Sequence, residues 1–174
     1  MPRWIGIDPG LSGALAILGD HGEVQFFDTP TLTIQGAKKK TRVMDGAECV
    51  NILMREVGRC AEIMVVLEKE SAMPGQGVSS MFNFGTGYGM WQGILYGLQL
   101  PFTLVHAATW KRRIMEGMGK EKSAAIFRAK QLYPKAASSL TRVKDDGRAE
   151  ALLLAHYGRV FLPHESACVL SDAL

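Results

Sequence analysis

Trp4-Ile5-Gly6-Ile7-Asp8-Pro9-Gly10-Leu11-Ser12-Gly13-Ala14 decides how this chain is read. Four residues suited to a buried strand run straight into an acid, and a Pro-Gly turn follows. A carboxylate at the end of a core strand is costly unless it binds something or caps the turn behind it. The glycines of the turn permit positive φ and a close approach of backbone. Working outward, residues 3 to 8 read as the first strand, 14 to 18 as a second, 19 to 22 as a hairpin loop, and 23 to 28 as a third. Three antiparallel strands therefore open the domain, with Asp8 ending the first.

The next comparable run is Ile63-Met64-Val65-Val66-Leu67-Glu68. Its short continuous apolar stretch is that of a strand buried on both faces. Residues 45 to about 60 carry Cys49, Ile52, Leu53 and Val57 at helical spacing. The order strand, helix, strand suggests a right-handed crossover that sets Glu68 beside Asp8. Glu70 competes with Glu68, but Glu68 directly follows the apolar run. Residues 30 to 43 read as a flexible basic loop, and 71 to 87, rich in Gly and Ser, as a mobile loop. Helices are expected at 88 to 98, 107 to about 115, 122 to 132 and 145 to 157, and a further strand at 102 to 105. Residues 1–162 read as one domain and 163–174 as a loosely ordered tail.

The chain has 174 residues, 47% hydrophobic and 21% charged, the composition of a globular protein of ordinary size. No apolar run reaches the length of a membrane span, and the N-terminus does not read as a signal peptide. Cys49, Cys60 and Cys168 show neither CxxC pairing nor zinc spacing, which points to reduced thiols. The net charge of +3 is small, but it is unevenly spread. Lys38, Lys39, Lys40 and Arg42 form one basic run. Lys111, Arg112 and Arg113 form another, extended by Lys120, Lys122, Arg128 and Lys130. Such runs are solvated surface or phosphate contacts.

Asp146 and Glu150 are four residues apart, so a helix places both carboxylates on one face. Like charges at that spacing repel and favour a cation. An acid-rich first helical turn also explains Asp145 and Asp146, but it explains Glu150 less well. Asp8, Glu68, Asp146 and Glu150 together form the kind of converging acid set that holds two divalent ions about 4 Å apart.

This arrangement resembles the ribonuclease-H-like superfamily, and within it the RuvC-type Holliday junction resolvases. The residues that carry the resemblance are the strand and turn from Ile5 to Ala14, the strand ending in Glu68, Trp110-Lys111, Glu121-Lys122-Ser123, and Asp145-Asp146-Gly147-Arg148-Ala149-Glu150-Ala151-Leu152. It spans residues 3 to 160. Phe27-Asp28-Thr29-Pro30, Gly87-Tyr88-Gly89-Met90-Trp91 and the Asp-Gly-Arg-Ala-Glu string look like the plastid branch, the monokaryotic-chloroplast resolvases, and its bacterial or phage relatives. The bacterial pattern has its penultimate ligand three residues before the last. Gly147 stands there and cannot ligate, so Asp146 serves instead, with Asp145 as a possible substitute.

The resemblance implies an α/β, ribonuclease-H-like fold with a central mixed five-stranded sheet flanked by helices. It implies two Mg2+ or Mn2+ ions held by Asp8, Glu68, Asp146 and Glu150, with Lys111 and Lys122 near the scissile phosphate. The expected partners are four-way junction DNA and a second copy of the chain in a homodimer, with no membrane and no nucleotide cofactor. Lys38, Lys39, Lys40, Arg42, Gln76, Phe82, Tyr88, Lys111, Arg112 and Lys122 are the expected DNA contacts. Phe84 and Trp91 are further candidates for base stacking, Trp91 being read as a dimer-helix or core aromatic. The expected setting is the cytoplasm of a bacterium or phage-infected cell, or a plastid if a transit peptide has been removed. Other readings are a related nuclease acting on another branched or hybrid substrate, a non-catalytic junction-binding protein, and an actin-like ATPase. The last lacks a second phosphate loop and the length of two such domains.

Overall fold

Continuous burial along a few apolar strands builds the sheet from its centre outward. The computed structural model describes residues 1–36, 40–58, 62–72, 75, 77–119 and 121–163. Strands β1 (Arg3–Ile7), β2 (Ala14–Gly19) and β3 (Val24–Asp28) are followed by β4 (Thr31–Gln35), β5 (Lys40–Met44) and helix α1 (Gly46–Val57). Then come β6 (Ile63–Lys69), α2 (Val78–Gly97), β7 (Phe102–His106), α3 (Ala107–Ile114), α4 (Lys122–Leu132) and α5 (Asp146–Phe161). Short 3-10 turns at Pro134–Ser139 and Val143–Asp145 lead into α5.

The central sheet has five strands in the order β3-β2-β1-β6-β7. The three N-terminal strands pair antiparallel, and β6 and β7 add to β1 in parallel. This is the mixed sheet expected from the sequence. The pleat sends alternate side chains to opposite faces. Trp4 and Val66 join a core formed with α3, α4 and α5, whereas Ile5, Ile7, Val65 and Leu67 join a second core formed with α1 and α2. Burying both faces explains why β1 and β6 are apolar throughout instead of alternating.

Helix α5 lies closest to the sheet because glycine lets it. A Cβ on Gly6 would overlap the carbonyl oxygen of Ala151, and one on Gly158 would stand 2.7 Å from Val66 Cγ2. Helix α1 begins where the Asp45 side chain accepts the Glu48 backbone N–H at 3.1 Å, which satisfies one of the free donors of the first turn.

Two expectations are corrected. Within residues 30 to 43, where a loop was expected, β4 (31–35) pairs antiparallel with β5 (40–44). The alternating Thr31, Thr33, Thr41 and Val43 suit a strand. Residues 78 to 87 are helical, so α2 starts ten residues earlier than expected. Ser79, Ser80 and Gly85 lower helix propensity locally, but they do not stop a helix anchored further along by Trp91 and Leu95. Residues 164–174, most of the expected tail, lie outside the described residues, as do Cys60 and Cys168.

Candidate active site

Register brings the first two acids together. Ile7 pairs with Leu67 in the parallel β1–β6 ladder, so Asp8 and Glu68 follow side by side at the C-terminal ends of adjacent strands. Adjacent strands lie about 4.8 Å apart. By the pleat, both acids share the face of Trp4 and Val66, towards α5. The carboxyl ends of parallel strands are where open α/β sheets bind their ligands.

Helix α5 brings the third. A Cβ on Gly147 would stand 2.6 Å from the Ser12 carbonyl oxygen, 2.9 Å from Gly13 Cα and 3.2 Å from Asp8 Oδ2. The first turn of α5 therefore rests on the turn that follows Asp8. Glu150 is one position short of a full turn beyond Gly147, and its charge reaches both Asp8 and Glu68. Asp146 opens the same helix, half-buried, one turn before Glu150.

The electrostatics are those of acids crowded together. The Asp8 pKa is raised to about 7, first by burial and then by the Glu68 charge, with Glu150 and Glu70 adding to it and the Gly10 backbone hydrogen bond opposing. Glu68 is also raised to about 7, chiefly by burial, with Glu150 and Glu70 contributing against the Trp110 hydrogen bond and the Lys111 charge. Glu70 is raised by burial and by Glu150. Lys111 answers this crowding: its Nζ donates to Glu150 Oε1 at 2.7 Å. Burial alone would depress its pKa, but the Glu150 bond and the charges of Glu150, Glu68 and Asp8 raise it.

Trp110 holds Glu68 from beneath. It is fully buried, and its indole N–H donates to Glu68 Oε1 at 2.9 Å. The sequence reading used Trp110 only as part of the resemblance. The available signal was that a buried Trp needs an acceptor for its N–H. Glu70, set aside in favour of Glu68, proves to be an electrostatic member of the group.

Asp145, the possible substitute for Asp146, is engaged by Arg142. It is 1% exposed, and its carboxylate takes the Arg142 backbone N–H at 2.7 Å and the Arg142 side chain at 2.6 and 2.9 Å. Burial would raise its pKa, but the Arg142 bonds more than offset that and hold it below the usual carboxylate value. Arg148 in turn grips Asp28 at 2.5 and 2.9 Å, tying the head of α5 to the end of β3.

Among the described residues, no three Asp, Glu, His or Cys side chains converge as they stand in the manner of a closed metal cage. The donor set nevertheless suits a hard divalent cation: all-oxygen, anionic, partly buried and self-repelling. Asp8, Glu68 and Glu150 are the residues that would hold it, and Asp146 stands one turn before Glu150 on the same helix.

The expected DNA contacts fall into three groups. Lys40 and Arg42 are exposed on β5, and Arg42 Nη2 donates to the Leu11 carbonyl at 3.1 Å and Ser12 Oγ at 3.0 Å, so the hairpin returns to the turn after Asp8. Phe82 is exposed on α2, Arg112 is exposed on α3, and Tyr88 is half-buried near Glu70. Lys38, Lys39, Gln76 and the Lys122 side chain lie outside the described residues. Trp91 is fully buried in the core, which removes it from the stacking candidates.

No model of a known protein family matches the chain, and no curated protein does. Solved structures do. RuvC of T. thermophilus in complex with a Holliday junction substrate superposes with a TM-score of 0.58 at 12% identity, over 93% of this chain and 98% of that one. The Thermus thermophilus RuvC structure gives 0.56 at 14% identity, over 90% and 95%. These likenesses establish the α/β, ribonuclease-H-like fold. The fowlpox virus Holliday junction resolvase is a more distant match, with a TM-score of 0.44 at 14% identity over 90% and 97%.

Proposed function

We propose that this protein is a divalent-metal-dependent endodeoxyribonuclease that resolves four-way DNA junctions by paired, symmetric cuts leaving 5′-phosphates. The observation that carries the reading is the in-register placement of Asp8 and Glu68 at the C-terminal ends of β1 and β6, within reach of the Glu150 charge. The likeness in fold to a RuvC seen with its junction supports the choice of substrate. When bound, two Mg2+ or Mn2+ ions would supply a polarised phosphodiester and a more acidic attacking water.

The chain's own residues do the rest. The Trp110 N–H fixes the Glu68 carboxylate, and the Arg148–Asp28 pair fixes the turn of α5 that carries Asp146 and Glu150. Lys111, held by Glu150, stands where it can offset charge that develops on the phosphate oxygens. The β4–β5 hairpin with Lys40 and Arg42 offers phosphate contacts beside the acids.

Paired cuts call for two sites related by a twofold axis, which a homodimer supplies. Helix α2 supports this. Gly85, Gly89, Gly93 and Gly97 recur every four residues, and a Cβ on any of them would meet nothing within 4 Å. Exposed Phe82 and Tyr96 flank that row, and α2 carries no charged side chain. Such a face suits close packing against a second α2. The likeness of Phe27-Asp28-Thr29-Pro30 and Gly87-Tyr88-Gly89 to the plastid branch supports reading the protein as a plastid-type resolvase, working in the cytoplasm of a bacterium or phage-infected cell, or in a plastid if a transit peptide has been removed.

Cleavage of an end-labelled four-way junction in Mg2+, beside linear duplex and RNA–DNA hybrid, tests the reading. Paired nicks on the junction alone are expected. Asp8→Asn should reduce cutting by about 10^3-fold or more while junction binding persists, since it removes a group acting on the reacting centre. Cutting of the hybrid in preference to the junction, or normal cutting by the variant, would sink the proposal.

A further inference from the structure

The turn between β1 and β2 is held by two other parts of the chain. Helix α5 rests on it, with Gly147 against the Ser12 carbonyl and Gly13 Cα. The segment around β4 and β5 holds it as well. Thr29, just ahead of β4, donates its backbone N–H to the Gly13 carbonyl at 3.0 Å. Arg42 of β5 donates from Nη2 to the Leu11 carbonyl at 3.1 Å and to Ser12 Oγ at 3.0 Å. Three consecutive turn residues therefore accept hydrogen bonds from this one segment. Its base is closed where the Asp45 N–H donates to the Pro30 carbonyl at 2.8 Å. What the turn carries is Asp8. The Asp8 N–H donates to the Ala14 carbonyl at 3.0 Å, and the Gly10 N–H donates to Asp8 Oδ1 at 3.3 Å. A Cβ on Gly13 would overlap the Asp8 carbonyl oxygen and stand 2.8 Å from Asp8 Cγ. A shift of the turn is therefore a shift of the Asp8 carboxylate.

We propose that Arg42 is a positioning residue: by bonding Leu11 and Ser12 it braces the turn that sets the Asp8 carboxylate against α5 and its Glu150. The inference rests on the nuclease reading above and deepens it, giving Arg42 a task besides phosphate contact. The register shows how the strand pair is arranged for this. Arg42 lies opposite Thr33 and Lys40 opposite Gln35, all on one side, with the exposed Leu32 and Ile34 on the other. Of the two basic residues on that side, Arg42 is the one bonded to the turn among the described residues. A guanidinium suits the task, because it stays charged and its planar donors are already arranged for two acceptors.

Titration with Mn2+ in the absence of DNA tests the brace, because no phosphate is then present for Arg42 to contact. Arg42→Ala removes a positive charge beside an anionic site, which by Coulomb attraction alone would tighten cation binding. Loss of the brace acts in the opposite direction and should weaken Mn2+ binding about tenfold, the lower end of the cost of losing a group that orients a metal ligand. Ser12→Ala leaves every charge in place and should also weaken it. The double variant should lose little more than Arg42→Ala, since both changes break the same bond. Lys40→Ala, two residues away on the same strand, should not weaken it. Single-turnover cutting at saturating junction and metal should fall about tenfold in Arg42→Ala, the effect of a displaced reacting group. Unaltered or tighter Mn2+ binding by Arg42→Ala, or additive losses in the double variant, would overturn the brace even if the protein cuts junctions normally. A protein that cuts no junction but shows this pattern of metal binding would lose the resolvase reading and keep the brace. No Mn2+ binding by the wild type would remove both.

Discussion

Helices α5 and α2 are both long, and both carry glycines, but the glycines mean opposite things. Helix α5 buries nine of its 16 residues, and α2 buries two of its 20. At Gly147 and Gly158 of α5 a Cβ would strike the sheet or the turn after Asp8. At Gly85, Gly89, Gly93 and Gly97 of α2 it would meet open space. Each glycine within a helix costs about 1 kcal/mol relative to alanine. In α5 that cost is offset by close contact that sets Glu150 against Asp8. In α2 no contact within the described chain offsets it, which is why the row reads as a face for another molecule.

The largest effect is expected at the α5 contact. Gly147→Ala forces a Cβ to within 2.6 Å of the Ser12 carbonyl, which is backbone and cannot swing away. Overpacking of this kind costs about 1–3 kcal/mol in stability, and displacing the acid-bearing turn should lower junction cleavage by about 100-fold. Denaturation and single-turnover assays would check both, and unchanged activity would mean that α5 need not touch the Asp8 turn.

Next is the support beneath Glu68. Trp110→Phe keeps the ring but removes the N–H donor. A lost second partner to a metal-binding carboxylate costs about 10–100-fold in metal affinity. The Mn2+ affinity measured by titration calorimetry should fall accordingly, with the fold retained by circular dichroism. An unaltered affinity would reduce Trp110 to packing.

The strand-end acids that α5 packs against give a pH test. Asp8 and Glu68 have folded pKa values of about 7, well above their unfolded values. The folded state therefore holds more protons than the unfolded chain between about pH 4 and 7, and stability falls as pH rises through that window. In chelator, the melting temperature should drop from pH 5 to pH 8, and millimolar Mg2+ should restore most of it at pH 8. Asp8→Asn should flatten the slope and raise the metal-free melting temperature at pH 8. A melting temperature that rises across the window would contradict the crowding of the acids.

The smallest effect separates the glycines of α2 from those of α5. Gly89→Ala should stabilise the isolated chain by about 1 kcal/mol, because nothing within it is struck. The same change should weaken self-association in sedimentation measurements. Stabilisation without any change in association would leave the α2 row unexplained.

Much of this was legible along the chain. Apolar runs ending in Asp8 and Glu68 declared two core strands and their acids, since continuous burial leaves no other place for such residues. The spacing of Asp146 and Glu150 declared a shared helix face, because helical geometry is local. The β4–β5 pairing was hidden because its basic charge reads as loop while its β-branched alternation is short. The helix through 78–87 was hidden because Ser and Gly speak against it locally, whereas its anchor, Trp91 and Leu95, lies further along.

By itself, the sequence determined the strands that end in Asp8 and Glu68 and the helix that carries Asp146 and Glu150. Only the tertiary structure set two adjacent aspartates apart. Asp145 and Asp146 are chemically equal and neighbours in sequence, but successive helical residues point about 100° apart. That rotation delivers Asp145 into the Arg142 guanidinium and leaves Asp146 on the turn that carries Glu150. The choice rests on where a third side chain stands in space, and local sequence pattern does not encode that.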